Sequence, residues 1–223
     1  MSIHYSPRIV TDGLVLYLDA ANPKSYPGTG TVWKDLTRNG NDATLTDIVF
    51  SENDNALDYN GSTSQAVVSS FVPPRTEHTI LIWCKSDVGL NNTTSSGTRK
   101  TLFKNMGSWA PGLWINGQII RPHQPPQYRD KIIPYRTFTQ WNLLGQIFDG
   151  SNVYTIDQDE VTLDTLVSGS YTQSTPTGIT IGHESGTTSF TWNGKISSFL
   201  VYNRSLSEAE VKQHYNVLKS RYQ

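Results

Sequence analysis

The end of the chain carries a helix pattern that no earlier segment shows, and this contrast limits the possible folds more than any other sequence feature. Ser207 and Glu210 match a capping box, in which the serine hydroxyl accepts a hydrogen bond from the backbone N–H of Glu210 and the glutamate reaches back. Leu206 and Val211 fit the hydrophobic staple that fixes how a chain enters a helix. One apolar face follows at helical spacing, formed by Val211, Tyr215, Leu218 and Tyr222. The pattern predicts a helix over residues 205–221.

Short β-type runs separated by turn signals fill the chain before this helix. They lie at 14–20, 56–61, 64–71, 79–85, 101–105, 112–120, 139–148, 149–163 and 178–184. Asn-Gly pairs at 39–40, 60–61 and 116–117, which are a strong hairpin signal, mark turns between these runs. The crossover helices that a parallel sheet requires are missing. We therefore expect an all-β chain: a two-sheet antiparallel jelly-roll sandwich closed by one short C-terminal helix.

Two segments carry more specific expectations. The run 79–85 is apolar on both faces, which is typical of a central strand that is covered on both sides. The stretch 121–135 contains four prolines, and proline cannot donate to a strand ladder. This stretch is therefore not expected to be a central strand, and we interpret it as an ordered surface excursion.

Length and composition favour one globular domain and exclude several partners. A chain of 223 residues that is 36% hydrophobic and 11% aromatic can bury one large core, so we expect a single domain over 1–223 with an N-terminal extension at 1–9. The net charge of −1 gives no general attraction to nucleic acid or to anionic lipid. No apolar run reaches the ~20 residues of a membrane span, and the N-terminus shows no secretory leader pattern. The single cysteine, Cys84, is expected to be a buried and inert thiol.

A series of segments in order resembles one known superfamily. The segments are GLVLYLDA, TVWKDLTRNGNDATL, ALDYNGSTSQAVV, HTILIWCK, QWNLLGQIF, ITIGHES, WNGKISSFLVYNR and the final LSEAEVKQHYNVL. Together they resemble the laminin-G-like form of the concanavalin A-like lectin/glucanase superfamily, over residues 10–220. The opening TDGLVLYLDAANPKSYPGTGTVWKDL resembles the version found in tailed-bacteriophage virion proteins. The resemblance implies core or near-core positions for Trp33, Trp83, Trp141 and Trp192.

The phage-type opening leads to a functional expectation. It implies a non-catalytic virion structural protein, such as a capsid-decoration, fibre or tail component, whose jelly roll adheres to glycans or to other virion proteins. The expected partners are other virion proteins, further copies of the chain and cell-surface glycans, with no nucleic acid and no membrane insertion. The expected location is the virion surface after assembly in the host cytoplasm. The alternatives are a free carbohydrate-binding lectin module and, behind it, a glycoside hydrolase.

The hydrolase alternative depends on paired carboxylates. Glucanases of the superfamily place carboxylates at alternate positions of one strand, so that they face one cleft. The nearest candidates are Asp157, Asp159 and Glu160, of which the two aspartates would share a face. Their flanking residues lack the superfamily pattern and an apolar neighbour that raises a pKa, so a hairpin turn or a solvated face is favoured. The histidines are scattered without a catalytic or zinc-binding spacing, and we expect His214 to lie at the helix surface. The chain is accordingly expected not to be an enzyme.

Two tryptophans outside the four core positions and two tyrosines in the proline-rich stretch are the candidate ligand-binding residues. They are Trp109, Trp114, Tyr128 and Tyr135. An aromatic ring offers a flat platform to the C–H face of a sugar, although packing on the sandwich or against a neighbouring subunit is an equal alternative.

A structural calcium ion is the one cofactor that the resemblance implies. Its candidate oxygen ligands are Asp19, Asp35, Asn39 and Asn41. The favoured alternative is that these side chains cap turns by bonding to nearby backbone. Calcium binding is therefore the second expectation for these four side chains, behind turn capping.

Overall fold

The architecture is a two-layer β-sandwich in the computed structural model, which describes residues 8–69, 71–90, 99–106, 112–116, 119–124, 127–133, 138–166, 177–184 and 190–222. The strands are β1 (Leu14–Asp19), β2 (Val32–Trp33), β3 (Ala43–Thr46), β4 (Ile48–Ser51), β5 (Ala56–Asn60), β6 (Gln65–Val68), β7 (His78–Ser86), β8 (Arg99–Asn105), β9 (Gly112–Asn116), β10 (Ile119–Gln124), β11 (Gln127–Ile132), β12 (Asn142–Phe148), β13 (Val153–Asp157), β14 (Glu160–Thr162), β15 (Thr165–Leu166), β16 (Ile179–Ile181) and β17 (Asn193–Tyr202). The helix α1 spans Glu208–Leu218, and a short 3-10 helix spans Lys219–Arg221. Every strand pairing is antiparallel among these residues, so the predicted all-β jelly-roll sandwich with one C-terminal helix is confirmed.

The two sheets differ in their strand order. The first sheet runs β14-β13-β12-β7-β17-β5-β4, and β1 pairs with the second half of β17. The second sheet runs β15-β11-β10-β9-β8-β16-β6-β3-β2. The central strand predicted at 79–85 is β7, which lies between β12 and β17 and is buried on both faces. One face of the first sheet therefore contacts the second sheet, and the other is available for the helix.

Large aromatic and aliphatic side chains fill the layer between the sheets. Trp33, Trp192, Phe103 and Phe199 are fully buried there, and the two phenylalanine rings meet edge to face with centroids 5.6 Å apart. Burial of each such side chain contributes about 1.5–3 kcal/mol to folding. This layer is the main core of the sandwich.

A second apolar layer forms where α1 covers the outer face of the first sheet. Val211 and Leu218 of the helix pack there with Leu81, Trp83 and Leu200 of the sheet. The predicted capping box is present: Glu210 N donates to Ser207 Oγ at 3.3 Å, and Ser207 N donates to Glu210 Oε2 at 2.9 Å. Among the described residues, no helix is long and apolar enough to span a membrane.

The expectation that His214 lies at the helix surface is wrong. Its side chain is 0% exposed, because it follows Val211 by three residues and precedes Leu218 by four, and so shares their buried face. Burial lowers the pKa of His214 to about 3, and the nearby charge of Arg221 acts in the same direction. The imidazole is therefore neutral at pH 7.

The proline-rich stretch also differs from its prediction. It forms β10 and β11, and β10 lies inside the second sheet between β9 and β11. Pro122 pairs with Leu113 of β9. The ladder between β10 and β11 pairs Ile120 with Lys131 and His123 with Tyr128 and is interrupted between them, so the interior strand accommodates the missing N–H of Pro122 within this gap.

Candidate functional site

The outer face of the second sheet carries a cluster of charged and aromatic side chains. Side chains alternate along a strand, so Leu113 and Ile115 of β9 point into the core while Trp114 points away from it. Neighbouring strands add polar residues on the same side. We call this cluster the Trp114 face; it consists of Arg99, Thr101, Lys104, Trp114, Arg121, His123, Asp130, Glu184 and Phe190.

Glu184 joins two cations of the Trp114 face. Arg99 Nη2 donates to Glu184 Oε2 at 2.6 Å, and Lys104 Nζ donates to Glu184 Oε1 at 2.7 Å. The pairing of β8 with β9 shifts between Thr101 and Phe103, and this irregularity turns both Thr101 and Lys104 outward. Thr101 Oγ1 adds a longer bond to Glu184 Oε2 at 3.4 Å. The carboxylate is thus held in place from three directions.

Aromatic rings fix the position of Arg99. Its guanidinium carbon lies 5.3 Å from the Trp114 ring centroid and 4.1 Å from that of Phe190, which are cation–π distances. On the Trp114 ring, His123 makes a tilted contact with centroids 5.1 Å apart. Gly112 leaves room for the indole, since a Cβ at this position would lie 3.2 Å from Trp114 Cζ2.

A second ion pair lies beside Trp114 on the neighbouring strands. Arg121 is the cross-strand partner of Trp114, and its Nε and Nη2 donate to the two carboxylate oxygens of Asp130 at 2.5 and 2.7 Å. This bidentate geometry is the strongest form of an arginine–carboxylate contact. The Trp114 face therefore presents oriented charges on both sides of one indole.

The four aromatic residues predicted to bind ligand have different outcomes. Trp114 lies at the centre of the face, but it is 6% exposed, so only a rim of the indole reaches solvent. Tyr128 lies in β11, where its backbone pairs with that of His123 in β10. The side chain of Tyr128 is not among the described parts of the structure. Trp109 and Tyr135 lie outside the described residues altogether. Their binding role stays a prediction.

Asp35, one of the calcium candidates, is engaged in turn hydrogen bonds. Its Oδ1 accepts from the backbone N–H groups of Tyr17 at 3.1 Å and Thr37 at 2.9 Å, and its Oδ2 accepts from Asn41 N at 3.2 Å. The side chains of Asn39 and Asn41 both donate to Val15 O, at 2.9 and 3.3 Å. These are the contacts of a turn cap.

Asp19, the fourth calcium candidate, binds other protein groups. It accepts from the Tyr17 hydroxyl at 2.7 Å, from Ala21 N at 3.1 Å and from Arg221 Nη1 at 2.9 Å. Across the described part of the chain, no group of three or more His, Cys, Asp and Glu side chains is arranged to hold a metal ion. Calcium binding stays an untested prediction.

The acidic run near residue 157 forms a hairpin. Asp157 ends β13, Asp159 lies in the turn after Gln158, whose φ is +62°, and Glu160 pairs with Asp157 across the hairpin. The expectation that Asp157 and Asp159 share one face is therefore wrong, because the chain reverses between them. Asp157 is 3% exposed and lies 3.5 Å from Lys131 Nζ, inside the sandwich. The favoured interpretation as a hairpin turn is confirmed.

Sequence reasoning missed the charged members of the Trp114 face. Arg99, Glu184, Arg121 and Asp130 come from four separate segments of the chain. The one signal available was the alternation of apolar and polar residues in β9 and β10, which marks outward positions. Which outward residues meet depends on strand order, and strand order is not readable from the alternation.

Comparison with known proteins shows likeness at the level of structure. The sequence matches no protein-family model and no curated protein. The structure is similar to Trypanosoma rangeli sialidase in complex with sialic acid, with a TM-score of 0.69 and 16% identity over 95% of this chain and 34% of that one. For a mutant of that sialidase displaying trans-sialidase activity, the TM-score is 0.66 and the identity 15%, over 94% of this chain and 33% of that one. For a tryptophan-to-alanine mutant of the clostridial toxin domain HCR/D, the TM-score is 0.67 and the identity 13%, over 92% of this chain and 52% of that one.

These likenesses support a lectin-like, concanavalin A-like β-sandwich fold. The chain spans about a third of the length of the sialidases that it matches and about half of the toxin structure. At identities of 16% and below, the likeness concerns the fold, and the activities of those larger proteins are not transferred with it.

Two functional expectations are corrected by the same comparison. The expectation of a phage virion structural protein is contradicted, because the similar structures are sialidases and toxin domains and not virion proteins. The expectation that the chain is not an enzyme is contradicted as well, since glycoside hydrolases are among its structural neighbours. The expected virion-surface location depended on the first of these and is not tested by the comparison.

Proposed function

We propose that the chain is a carbohydrate-binding module of the laminin-G-like form and that it binds a glycan at the Trp114 face. The observation that carries this proposal is the fixed group of Arg99, Trp114 and His123 beside Glu184. Sugars present hydroxyl groups that both donate and accept hydrogen bonds, and they present apolar C–H faces. A patch that combines oriented charges with aromatic rims meets both requirements.

The choice of this face over the first sheet follows from what covers each sheet. Helix α1 covers the outer face of the first sheet with Val211 and Leu218. Within the described ranges, α1 is the one α-helix, and it packs on the first sheet. The outer face of the second sheet carries no such helix among the described residues, and the partly exposed Arg99 and Arg121 lie on it.

Rigidity of the Trp114 face supports binding as well. Arg99 is held between two aromatic rings and a carboxylate, so its guanidinium has lost most of its rotamer freedom before any ligand arrives. Ordering a long side chain on binding costs about 0.5–1.5 kcal/mol, and a preorganised one avoids this cost. Cell-surface glycans are the partner class that this proposal implies.

The direct test is a glycan-array screen of the whole chain, followed by titration calorimetry with the glycans retained. We expect Arg99→Ala to weaken binding about tenfold, because it removes a charge-assisted donor worth roughly 1.5 kcal/mol. Thr44→Ala, on β3 at the far side of the same sheet, is the matched control and should leave affinity unchanged. Absence of glycan binding, or equal losses in both variants, would reject the proposal.

Glycoside hydrolysis is the second candidate function. Sialidases among the structural neighbours favour it, and two carboxylates, Glu184 and Asp130, lie on the same face. Most glycosidases act through a pair of carboxyl groups, whereas sialidases use a tyrosine nucleophile, so the carboxylate pair bears on the hydrolysis of other glycosides. The test is turnover of fluorogenic sialosides and of other glycosides by the unmodified chain and by Glu184→Gln. Release of product that the variant loses supports hydrolysis, and no release from any substrate rejects it.

A further inference from the structure

The Trp114 face carries more positive than negative charge. Its described ionic side chains are three cations, Arg99, Lys104 and Arg121, against two carboxylates, Glu184 and Asp130, which leaves a formal charge of +1. The whole chain has a net charge of −1. The face is therefore locally cationic on a slightly anionic molecule, and such a patch attracts anionic ligands.

The carboxylate oxygens of the face already accept hydrogen bonds. Glu184 Oε1 and Oε2 accept from Lys104 and Arg99, and the two oxygens of Asp130 accept from Arg121. A ligand that offered mainly donors would compete with these ion pairs. Each of the four carboxylate oxygens therefore already accepts at least one charge-assisted hydrogen bond before a ligand binds.

Unused hydrogen-bonding capacity lies on the donor side. Arg99 Nε is buried and has no hydrogen-bond partner within the part of the chain that the structure describes. Lys104 has three hydrogens on Nζ and places one of them on Glu184. A buried donor without a partner is costly, so a partner is expected for Arg99 Nε. The missing partner must be an acceptor.

From the excess charge and the unused donors together, we infer that the glycan of the Trp114 face is an acidic saccharide, whose carboxylate or sulfate group meets Arg99 and Lys104. The inference rests on the proposed function and narrows its ligand. A neutral sugar hydroxyl can accept a hydrogen bond, but it brings a donor of its own and carries no charge, so it does not balance the excess positive charge of the face. An anionic group supplies acceptors alone, and the planar guanidinium of arginine matches it.

The test compares matched glycans on the unmodified chain. An array presents each neutral core beside its sialylated and its sulfated form, and calorimetry then measures 3′-sialyllactose, its methyl ester, 3′-sulfolactose and lactose. We expect the acidic forms to bind at least about tenfold more tightly than the neutral core and the ester. We also expect this preference to shrink as ionic strength rises. The acidic form that binds identifies the anionic group.

The outcomes separate this inference from the proposed function. Equal or tighter binding of neutral cores overturns the acidic ligand and leaves glycan binding intact. No binding of any glycan overturns both. These comparisons use one folded protein, so they do not depend on a variant that fails to fold.

A charge variant adds a residue-level test. Lys104→Gln keeps a hydrogen-bond donor and removes the charge, and we expect about a threefold loss of affinity for acidic glycans and none for neutral ones. Lys212→Gln, on the exposed side of α1, is the matched control and should change neither. Thermal melting of both variants checks that they are folded. Equal affinity of Lys104→Gln and the unmodified chain for the acidic glycan contradicts the contact.

Discussion

Arg221 and Asp19 join the two ends of the described chain, with Arg221 Nη1 donating to Asp19 Oδ2 at 2.9 Å. Asp19 is fully buried at the end of β1, while Arg221 lies in the turn that follows α1. The Tyr17 hydroxyl donates to the same oxygen at 2.7 Å. The C-terminal turn is therefore fixed to the first strand by a buried carboxylate.

Removal of this cation should destabilise the sandwich. Arg221→Ala leaves the buried carboxylate of Asp19 without its charge partner. We expect the free energy of unfolding to fall by about 1–3 kcal/mol. This loss is smaller than for a fully buried ion pair, because Arg221 is partly exposed. Urea unfolding followed by tryptophan fluorescence measures it. Lys24→Ala, at an exposed position, serves as the control. Equal midpoints for the two variants would show that the ion pair adds nothing.

Two buried histidines should make stability depend on pH. His78 Nδ1 lies 2.9 Å from Pro74 O and Nε2 lies 3.2 Å from Gln146 Nε2, which assigns the proton to Nδ1 and leaves Nε2 as the acceptor. Burial lowers the pKa of His78 to about 4 and that of His214 to about 3. Below the usual pKa of about 6.5 the unfolded chain takes up these protons while the folded chain does not.

Stability should therefore be fully present above about pH 6.5 and fall as the pH drops toward 4, by a few kcal/mol in total. Chemical unfolding at a series of pH values measures the slope. In His78→Gln the part of the slope that belongs to His78 should disappear, while the part from His214 continues toward pH 3. A stability that is constant between pH 7 and pH 4 would contradict the burial of both rings.

The capping box should contribute to the stability of α1. Ser207→Ala removes the acceptor of Glu210 N, and we expect a loss of about 1 kcal/mol in unfolding free energy. Asn216→Ala, at an exposed position of the same helix, should change stability by less than about 0.5 kcal/mol. Guanidinium unfolding compares the two. A smaller loss for the cap than for Asn216 would mean that the helix is held by packing alone.

Gly112 should be needed for the geometry of the Trp114 face. A Cβ there would lie 2.9 Å from Phe103 O and 3.2 Å from Trp114 Cζ2, so Gly112→Ala displaces the indole. We expect a several-fold loss of glycan affinity and a change in the near-ultraviolet circular dichroism. Thr44→Ala, at an exposed position of β3 in the same sheet, is the control. Unchanged affinity in Gly112→Ala would remove the indole from the binding account.

The fold was predictable where local chemistry decides the structure. The helix beginning after Ser207 follows from its cap and its apolar spacing, and the central strand β7 follows from an apolar run without polar alternation. Each of these two signals is contained in a single segment of about ten residues. The burial of His214 was predictable in principle from the same spacing, since it lies three residues after Val211, but its polar side chain favoured the surface.

The candidate site was less predictable, because it depends on which strands are neighbours. Trp114 was identified from its own environment, whereas Arg99 and Glu184 meet it through the pairing of β8 with β9 and β16. The prediction that the proline-rich stretch is not a central strand was wrong at Pro122 for a related reason. A proline is excluded from a strand position only where a neighbouring strand needs the N–H that proline lacks, and that depends on register and on where the ladder is interrupted.

The most direct test of glycan binding at the Trp114 face is nitrogen–proton correlation NMR of the six tryptophan indoles during titration with a bound glycan. The account predicts that the Trp114 Nε1–H signal shifts progressively, while the signals of Trp33 and Trp192, buried between the sheets, stay in place. A Trp114 signal that does not move while the glycan binds would contradict the account, because the ligand would then sit on another surface.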